Sequence, residues 1–227
     1  MRLGLPTPTS APYGPPASFP PFQPSHTEPF TMPSANSRST EHAIDTQFLE
    51  RWSPRAMTGA TIPETDLMTM FDAARWAPSS YNSQPWRFVY ARRDTAHWPQ
   101  FLAYLNANNQ GWAKNASALV VLVSKLKMTT PASPTEVPSY THALDCGAAW
   151  GYLALQAHKM GWAAHAMIGF DYAKATETLN LPADHRVEMM IAIGKQGDKS
   201  ILPEVLQARE APNARQPLSA IVREGKF

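Results

Sequence analysis

The chain holds a single cysteine, Cys146, so no internal disulfide can form, a usage that suits a reducing cytoplasm. Cys146 falls among Ala, Gly and Leu, the setting of a buried, inert thiol rather than a reactive one. Charge is also scarce: 17% of residues are Asp, Glu, Lys or Arg, and the formal net charge is +2. Neither a nucleic-acid footprint nor a membrane-seeking basic face follows from so weak a balance. No apolar run approaches the roughly 18 residues of a membrane span. Glycine is sparse, 11 residues in 227, and no Gly-rich phosphate loop follows the early strands. A nucleophile-elbow glycine pattern with Ser, His and Asp in order is missing too. The seven histidines show no metal-binding pair followed by a third ligand, so no structural metal is expected.

Proline is what the chain has in quantity, and it is unevenly spread. Ten of the 22 prolines fall in the first 33 residues, among Ser and Thr and with almost no aliphatic pattern. Such a segment cannot bury enough apolar surface to offset its ordering entropy, so residues 1–40 are expected to form a disordered extension. It lacks the leucine-rich block and basic start of a secretory signal. Three readings stand for it: a flexible tail, a ligand for a proline-binding module (Pro12-x-x-Pro15, Pro21-x-x-Pro24), or a start placed ahead of a natural one at Met32. Residues 41–227 are expected to form one domain with a substantial core.

Within that domain, helices and strands alternate. Ala43, Ile44, Phe48, Leu49 and Trp52 give a helical stripe that Ser39 or Thr40 could cap. Thr61-x-Pro63-Glu64 reads as a helix start, with Thr61 as cap, and Leu67, Met70, Phe71 and Ala74 supply its apolar face. Glu64 and Asp66 there suit capping and dipole roles. Trp86–Tyr90 alternates like a strand. A helix is expected around Trp98–Leu105, a polar break at 106–111, and a doubly buried strand at 118–123. Residues 128–139 read as a Pro-rich loop. Residues 142–160 form the longest apolar helix, apolar nearly all round, which demands partners on several faces or a subunit interface; Gly161 stops it. A strand at 162–168, a short helix at 172–179 and a core strand at 187–194 follow, and the final thirty-odd residues carry no strong pattern. Alternation of this kind implies a sandwich with helices on both faces of one sheet.

Two stretches carry polar groups in excess of any structural need. Pro78-Ser79-Ser80-Tyr81-Asn82-Ser83-Gln84-Pro85 joins a helix to a strand with hydroxyls and carboxamides but no glycine. Prolines at both ends keep it out of either element, so it presents hydrogen-bonding groups from a rigid frame, as a polar planar ligand requires. Arg51-Trp52-Ser53-Pro54-Arg55 places two guanidinium groups and a hydroxyl at alternate positions, which an extended segment aims to one side. Arginine suits phosphate because its planar fork grips two oxygens and keeps its charge when partly buried.

These stretches, in this order, resemble the nitroreductase family of FMN-dependent oxidoreductases. The likeness runs over nearly all of residues 42–224: Arg-x-Ser-x-Arg, the Pro-Ser-Ser-x-Asn-x-Gln-Pro-Trp loop, the long Gly/Ala-rich helix ending at Gly161, the strand leading to Ile168-Gly169-Phe170, and the closing Arg215-x-Pro217-Leu218. The resemblance implies an α+β, three-layer α/β/α sandwich with a central mixed, mainly antiparallel sheet. It implies a homodimer whose FMN sites lie at the subunit interface. Arg51, Trp52 and Ser53 would lie at the FMN phosphate, Arg55 would reach toward the ribityl chain, and Arg215 would close the phosphate site. Pro78, Ser79, Ser80 and Asn82 would come from the second subunit, with Gln84 bracing their loop. Asn109 would meet the pyrimidine edge, and the backbone N–H groups of Ile168 and Gly169 would face N5 and O4. Gly194-Lys195 resembles the strand end near this site. Asn213 stands where some relatives have a lysine, Trp112 replaces a polar or basic residue, and the 128–139 loop replaces a longer insert.

By the same resemblance the protein is expected to be a cytoplasmic enzyme that uses NADH or NADPH to reduce small acceptors, such as nitroaromatics or quinones, in two half-reactions. No side chain is expected to act as acid or base in the first. Trp112, Phe170 or Tyr140 could stack on the acceptor, though core packing suits each better. Two other readings accompany this one. One keeps the flavin but changes the reaction, to dehalogenation or oxidation of a flavin or heterocycle. The other is a non-catalytic dimeric flavin-binding protein.

Overall fold

A computed structural model describes residues 38–227; the readings made for residues 1–37 lie outside the described part. The strand expected at 118–123 is the centre of the molecule. It forms β2 (Ala118–Lys125), paired on one side with β1 (Trp86–Arg92) and on the other with β6 (His185–Gly194), whose far side carries β5 (Ala163–Met167). Each of these three pairings is antiparallel. The mixed character expected of the sheet is therefore absent among the described strands, while the antiparallel character holds.

Alternation along β2 divides the core in two. Ala118, Val120 and Leu122 pack with Leu67, Met70, Cys146, Ala149 and Leu153 on one face. Leu119, Val121 and Val123 pack with Phe101, Tyr104, Trp112 and Ala175 on the other. Helices α2 (Glu64–Ala74) and α5 (His142–Lys159) thus cover one face, and α3 (Trp98–Leu102), α4 (Ala107–Ala113) and α6 (Tyr172–Thr178) the other. The three-layer sandwich follows from a strand with period-two burial on both sides. Cys146 is fully buried, and burial pushes its thiol up to about 12, so it stays an inert core group.

Several local expectations are corrected. The stripe at 43–52 yields only a single turn, α1 (Gln47–Glu50), and its entry is held by Asp45 Oδ1 accepting from Gln47 N at 2.9 Å, not by Ser39 or Thr40. Ile44 and Phe48 stay exposed, so these two meet no core among the described residues. Helix α2 is entered from Pro63, without a side-chain cap from Thr61. Glu64 and Asp66 bond across the fold instead of capping: Glu64 accepts from Tyr90 Oη at 2.8 Å, and Asp66 from Trp162 Nε1 at 2.8 Å. The polar run at 106–111 is no break. Asn106 is the N-cap of α4, its side chain accepting from Asn109 N at 2.9 Å, so the asparagines start a helix.

The Pro-rich segment at 128–139 is also no plain loop. It folds as a hairpin of β3 (Lys127–Thr130) and β4 (Ser133–Pro138), in which Met128 faces Val137. Its prolines are tolerated because a two-stranded ribbon has an outer side where no N–H is needed. The tail after β6 holds α7 (Glu204–Gln207) and α8 (Leu218–Ile221), too short to leave a periodic signal.

Gly161, which ends α5, has φ +70, in the left-handed region where a β-carbon is strained. A β-carbon there meets only Lys195 Nζ at 3.5 Å, an ordinary contact, so the strain is confined to the backbone. Gly161→Ala is expected to destabilise the fold by about 1 kcal/mol, read as a lower urea midpoint with an unchanged slope.

Candidate functional site

The segment after α1 runs extended, so successive side chains alternate. Arg51, Ser53 and Arg55 all line one cavity of about 230 Å³, together with Trp52, Arg38, His165, Arg209, Ala211, Asn213 and Arg215. Five of these ten residues are arginines and none is a carboxylate. Arg51 Nη1 donates to Ser53 Oγ at 3.3 Å, which turns both groups the same way. The segment is fixed from behind by Glu210, whose Oε1 accepts from Arg55 N at 2.5 Å and Ala56 N at 2.8 Å. Glu210 Oε2 lies 3.6 Å from Arg55 Nη1.

The electrostatics of the cavity are those of crowded cations. Burial, then the charge of Arg215, holds the Arg51 guanidinium below its usual value. Burial, then Arg215 and Arg51, does the same to Arg38. Burial, then Arg55, keeps His165 below its ordinary range, although its Nδ1 lies 3.1 Å from Pro54 O. Mutual repulsion of this kind is relieved by an anion, and a phosphate monoester offers two charges to a guanidinium-lined pocket.

A second cluster lies where β5 gives way to Ile168 and Gly169. Asn109 Nδ2 and Asn106 N donate to Gly169 O at 3.0 and 3.1 Å. A β-carbon on residue 169 would sit 2.6 Å from Asn106 Nδ2 and 2.7 Å from Asn109 Nδ2, so only glycine admits these amides. Ile168 is strongly exposed beside it. The two clusters are joined through packed groups: Trp112 Nε1 donates to Asn109 Oδ1 at 3.3 Å, and the Trp112 ring lies 4.8 Å from the His165 ring, which borders the arginine cavity. Trp112 and Phe170 are core residues, whereas Tyr140, also expected in the core, is 91% exposed.

The third predicted group, Pro78 to Gln84, is placed apart, against α5. Ser80 N donates to Asp145 Oδ2 at 3.3 Å, and no bond among the described residues ties the loop to the other two clusters. Its path is strained: Tyr81, Asn82 and Gln84 have φ of 50, 53 and 46. Asparagine tolerates this region, but tyrosine and glutamine do not do so readily. Gln84 Nε2 donates to Asn82 O at 3.1 Å, and Ser79 Oγ accepts from Gln84 N at 3.0 Å, so the loop is held by its own side chains. One chain therefore collects Arg51, Trp52, Ser53, Arg55 and Arg215 at one place and Asn109, Ile168 and Gly169 at another. It leaves Pro78, Ser79, Ser80, Asn82 and Gln84 separate.

Five residues of the arginine site escape the sequence reading: Arg38, His165, Arg209, Glu210 and Ala211. A lone histidine in the Ala163–Met167 strand was a legible signal, because a polar group among alanines on a strand faces something. The others carry no local signal.

The sequence pattern of the nitroreductase family matches residues 49–107 and 94–195. A solved structure described as an oxidoreductase containing FMN is 46% identical, with a TM-score of 0.81, covering 86% of this chain and 98% of its own. A nitroreductase family protein from Streptococcus pneumoniae, 21% identical, shares the fold with a TM-score of 0.60 over 77% of this chain and 96% of its own. Protein DrgA of Synechocystis sp. is 30% identical over 154 residues, 56% of this chain and 71% of DrgA. A Streptomyces coelicolor protein named for NADH dehydrogenase or NAD(P)H nitroreductase activity is 27% identical over 155 residues, 59% of this chain and 73% of that protein. With an antiparallel sheet between two helical layers and the arginine segment at its edge, the chain belongs to the nitroreductase family and is an oxidoreductase of that fold.

Proposed function

We propose that the protein binds FMN and uses NADH or NADPH to reduce small acceptors, such as nitroaromatics or quinones, in two half-reactions that share one position. The observation that carries this reading is the cavity that, among the described residues, is lined by five arginines and no carboxylate, joined through His165, Trp112 and Asn109 to the backbone at Gly169. FMN, when bound, supplies the two-electron chemistry; the chain supplies binding, orientation and charge. Arg51, Ser53 and Arg215 hold the phosphate, with Trp52 as the wall beside them. Arg55, paired to Glu210, reaches along the ribityl chain, and its charge favours the electron-rich form of the ring. Asn109 and the Ile168–Gly169 backbone offer amide groups to the ring edge.

The separate, strained loop supports a shared site. In this reading Pro78, Ser79, Ser80 and Asn82 of a second copy complete each flavin site, with Gln84 bracing them, so the working unit is a homodimer. The exposed Tyr152 and Leu144 of α5 supply apolar surface for that contact. No described helix is long and apolar enough to cross a membrane, and the need for NADH or NADPH supports a cytoplasmic site of action.

The purified protein is expected to show a flavin absorption spectrum that bleaches anaerobically with NADPH or NADH and returns when a quinone or nitroaromatic is added. A spectrum that never bleaches would overturn the reductase reading, and a protein that neither carries nor takes up FMN would overturn the flavin. Arg215→Ala is expected to weaken FMN binding roughly tenfold with unchanged thermal unfolding of the apoprotein; unchanged affinity removes Arg215 from the site. Sedimentation is expected to give a dimer, and a monomer that retains FMN contradicts the shared site.

His165 gives a pH test. Its folded value lies below the ordinary 6.5, so on acidification the unfolded chain takes a proton before the folded one does. Stability of the apoprotein is then complete above 6.5 and falls as pH drops below it. His165→Gln should flatten that slope in urea titrations across this window.

A further inference from the structure

Helix α5 carries a buried carboxylate in its first turn, Asp145, which is 8% exposed. Its backbone N–H donates to Thr141 O at 2.9 Å, and Thr141 Oγ1 donates to its Oδ2 at 3.0 Å, so the acid is fixed from within its own helix. A negative group is favoured at that end of a helix. The same Oδ2 accepts from Ser80 N at 3.3 Å. Ser80 opens a single 3₁₀ turn, Ser80–Asn82, to which Ser79 gives no side-chain cap. The first N–H of such a turn has no partner inside it, and Asp145, 65 residues further along the chain, supplies one. The other bonds of the turn are internal: Asn82 N donates to Ser79 O and Ser83 N to Ser80 O, each at 3.0 Å. Among the described residues, Asp145 is thus the one hydrogen-bond partner that residues 79–83 find in another element.

We propose that Asp145 is a positioning residue that acts across the subunit interface, orienting the Ser79–Asn82 turn of its own chain for the flavin site of the second copy; this rests on the shared-site reading above. The turn is strained, with left-handed backbone at Tyr81 and Asn82 (φ 50 and 53), so its conformation depends on what holds it. A carboxylate holds a backbone N–H more firmly than a neutral acceptor does, because the hydrogen bond is charge-assisted. Asp145 sits on the helix whose exposed Leu144 and Tyr152 offer apolar surface to a second copy, so the turn and the contact surface share one support. Within one chain, no bond among the described residues ties this turn to the arginine cavity or to Gly169. A lesion at Asp145 therefore reaches a flavin through the neighbouring subunit.

In fluorescence titrations of the full-length protein, Asp145→Ala is expected to weaken FMN roughly tenfold. Asp145→Asn, which keeps an oxygen to accept from Ser80, is expected to recover most of that loss. The decisive sample is a mixed dimer, one subunit Asp145→Ala and the other Arg215→Ala, isolated through two affinity tags. If Asp145 serves the neighbour, one site of that dimer carries both lesions and the other neither, so half of the sites bind FMN with wild-type affinity. A role confined to its own chain, folding of α5 included, leaves one lesion in each site and no site of wild-type affinity. That result overturns the proposal, as does unchanged FMN affinity in Asp145→Ala. If Asp145→Ala does not fold, Thr141→Val, which removes the hydroxyl that fixes the carboxylate, takes its place in the mixed dimer. If Arg215→Ala alone leaves FMN affinity unchanged, Arg51→Ala replaces it there. Wild-type protein that fails to bind FMN, or binds it as a monomer, removes the parent reading. Wild-type dimers that bind FMN, with no complementation in the mixed dimer, remove this inference alone.

Discussion

The site depends on one buried carboxylate. The Glu210 side chain is 3% exposed, and its Oε1 takes two backbone N–H groups, from Arg55 and Ala56. Hydrogen bonds to an ionised acceptor are stronger than neutral ones, and two on one oxygen fix both the acid and the strand it meets. The contact joins segments 155 residues apart and brings Arg209, Ala211, Asn213 and Arg215 against Arg51 to Arg55. Oε2 makes no hydrogen bond and stands 3.6 Å from the Arg55 guanidinium, so its charge is spent on that one arginine. The acid builds the wall of the cavity yet does not line it. No carboxylate stands among the described lining residues to neutralise the field, and the one placed behind the backbone organises it instead.

Much of the frame was legible because its signals are local. Six consecutive buried residues, Ala118 to Val123, announce a central strand, and Gly161 marks the end of α5 by the backbone conformation it must adopt. Arg-x-Ser-x-Arg was readable because an extended segment turns alternate side chains one way. What escaped depends on partners far along the chain. Glu210 acts on Arg55, and Arg38 on Asn213, at separations no window reveals. The asparagines at 106–109 misled for a physical reason, since the residue type that breaks a helix interior also begins one. The prolines at 131–138 misled in the same way, because an edge hairpin tolerates what a central strand cannot.

The Ser79–Gln84 loop shows how a sequence can be suggestive without disclosing its geometry. Lack of glycine in a helix-to-strand connection is visible in the residues, but three left-handed conformations are not. Each such conformation in a residue with a β-carbon costs on the order of 1–3 kcal/mol, and something must hold it. Pro78 and Pro85 restrict the ends, Ser79 and Gln84 bond across the turn, and Asp145 of α5 takes Ser80 N. The expense is hard to explain for a connection that serves only its own chain, since a glycine would make the same turn at lower cost. It is reasonable for a loop that presents Asn82 and the serines to something outside.

Whole-chain charge hides the same site. With 20 basic and 18 acidic residues, the molecule is nearly neutral, and on that ground neither a nucleic-acid nor a membrane partner is expected. Yet five of the basic residues border one cavity of about 230 Å³. At the separations within such a space Coulomb energy is large, while charges on the far surface are screened beyond about 10 Å at moderate ionic strength. A small anion therefore responds to the five nearby cations and not to the sum over the surface. A near-zero total supplies no overall field toward extended polyanions, which sample the whole surface, and says nothing about a dianion held at one point. Net charge and local field answer different questions, and a protein that carries a phosphate-bearing cofactor needs only the second.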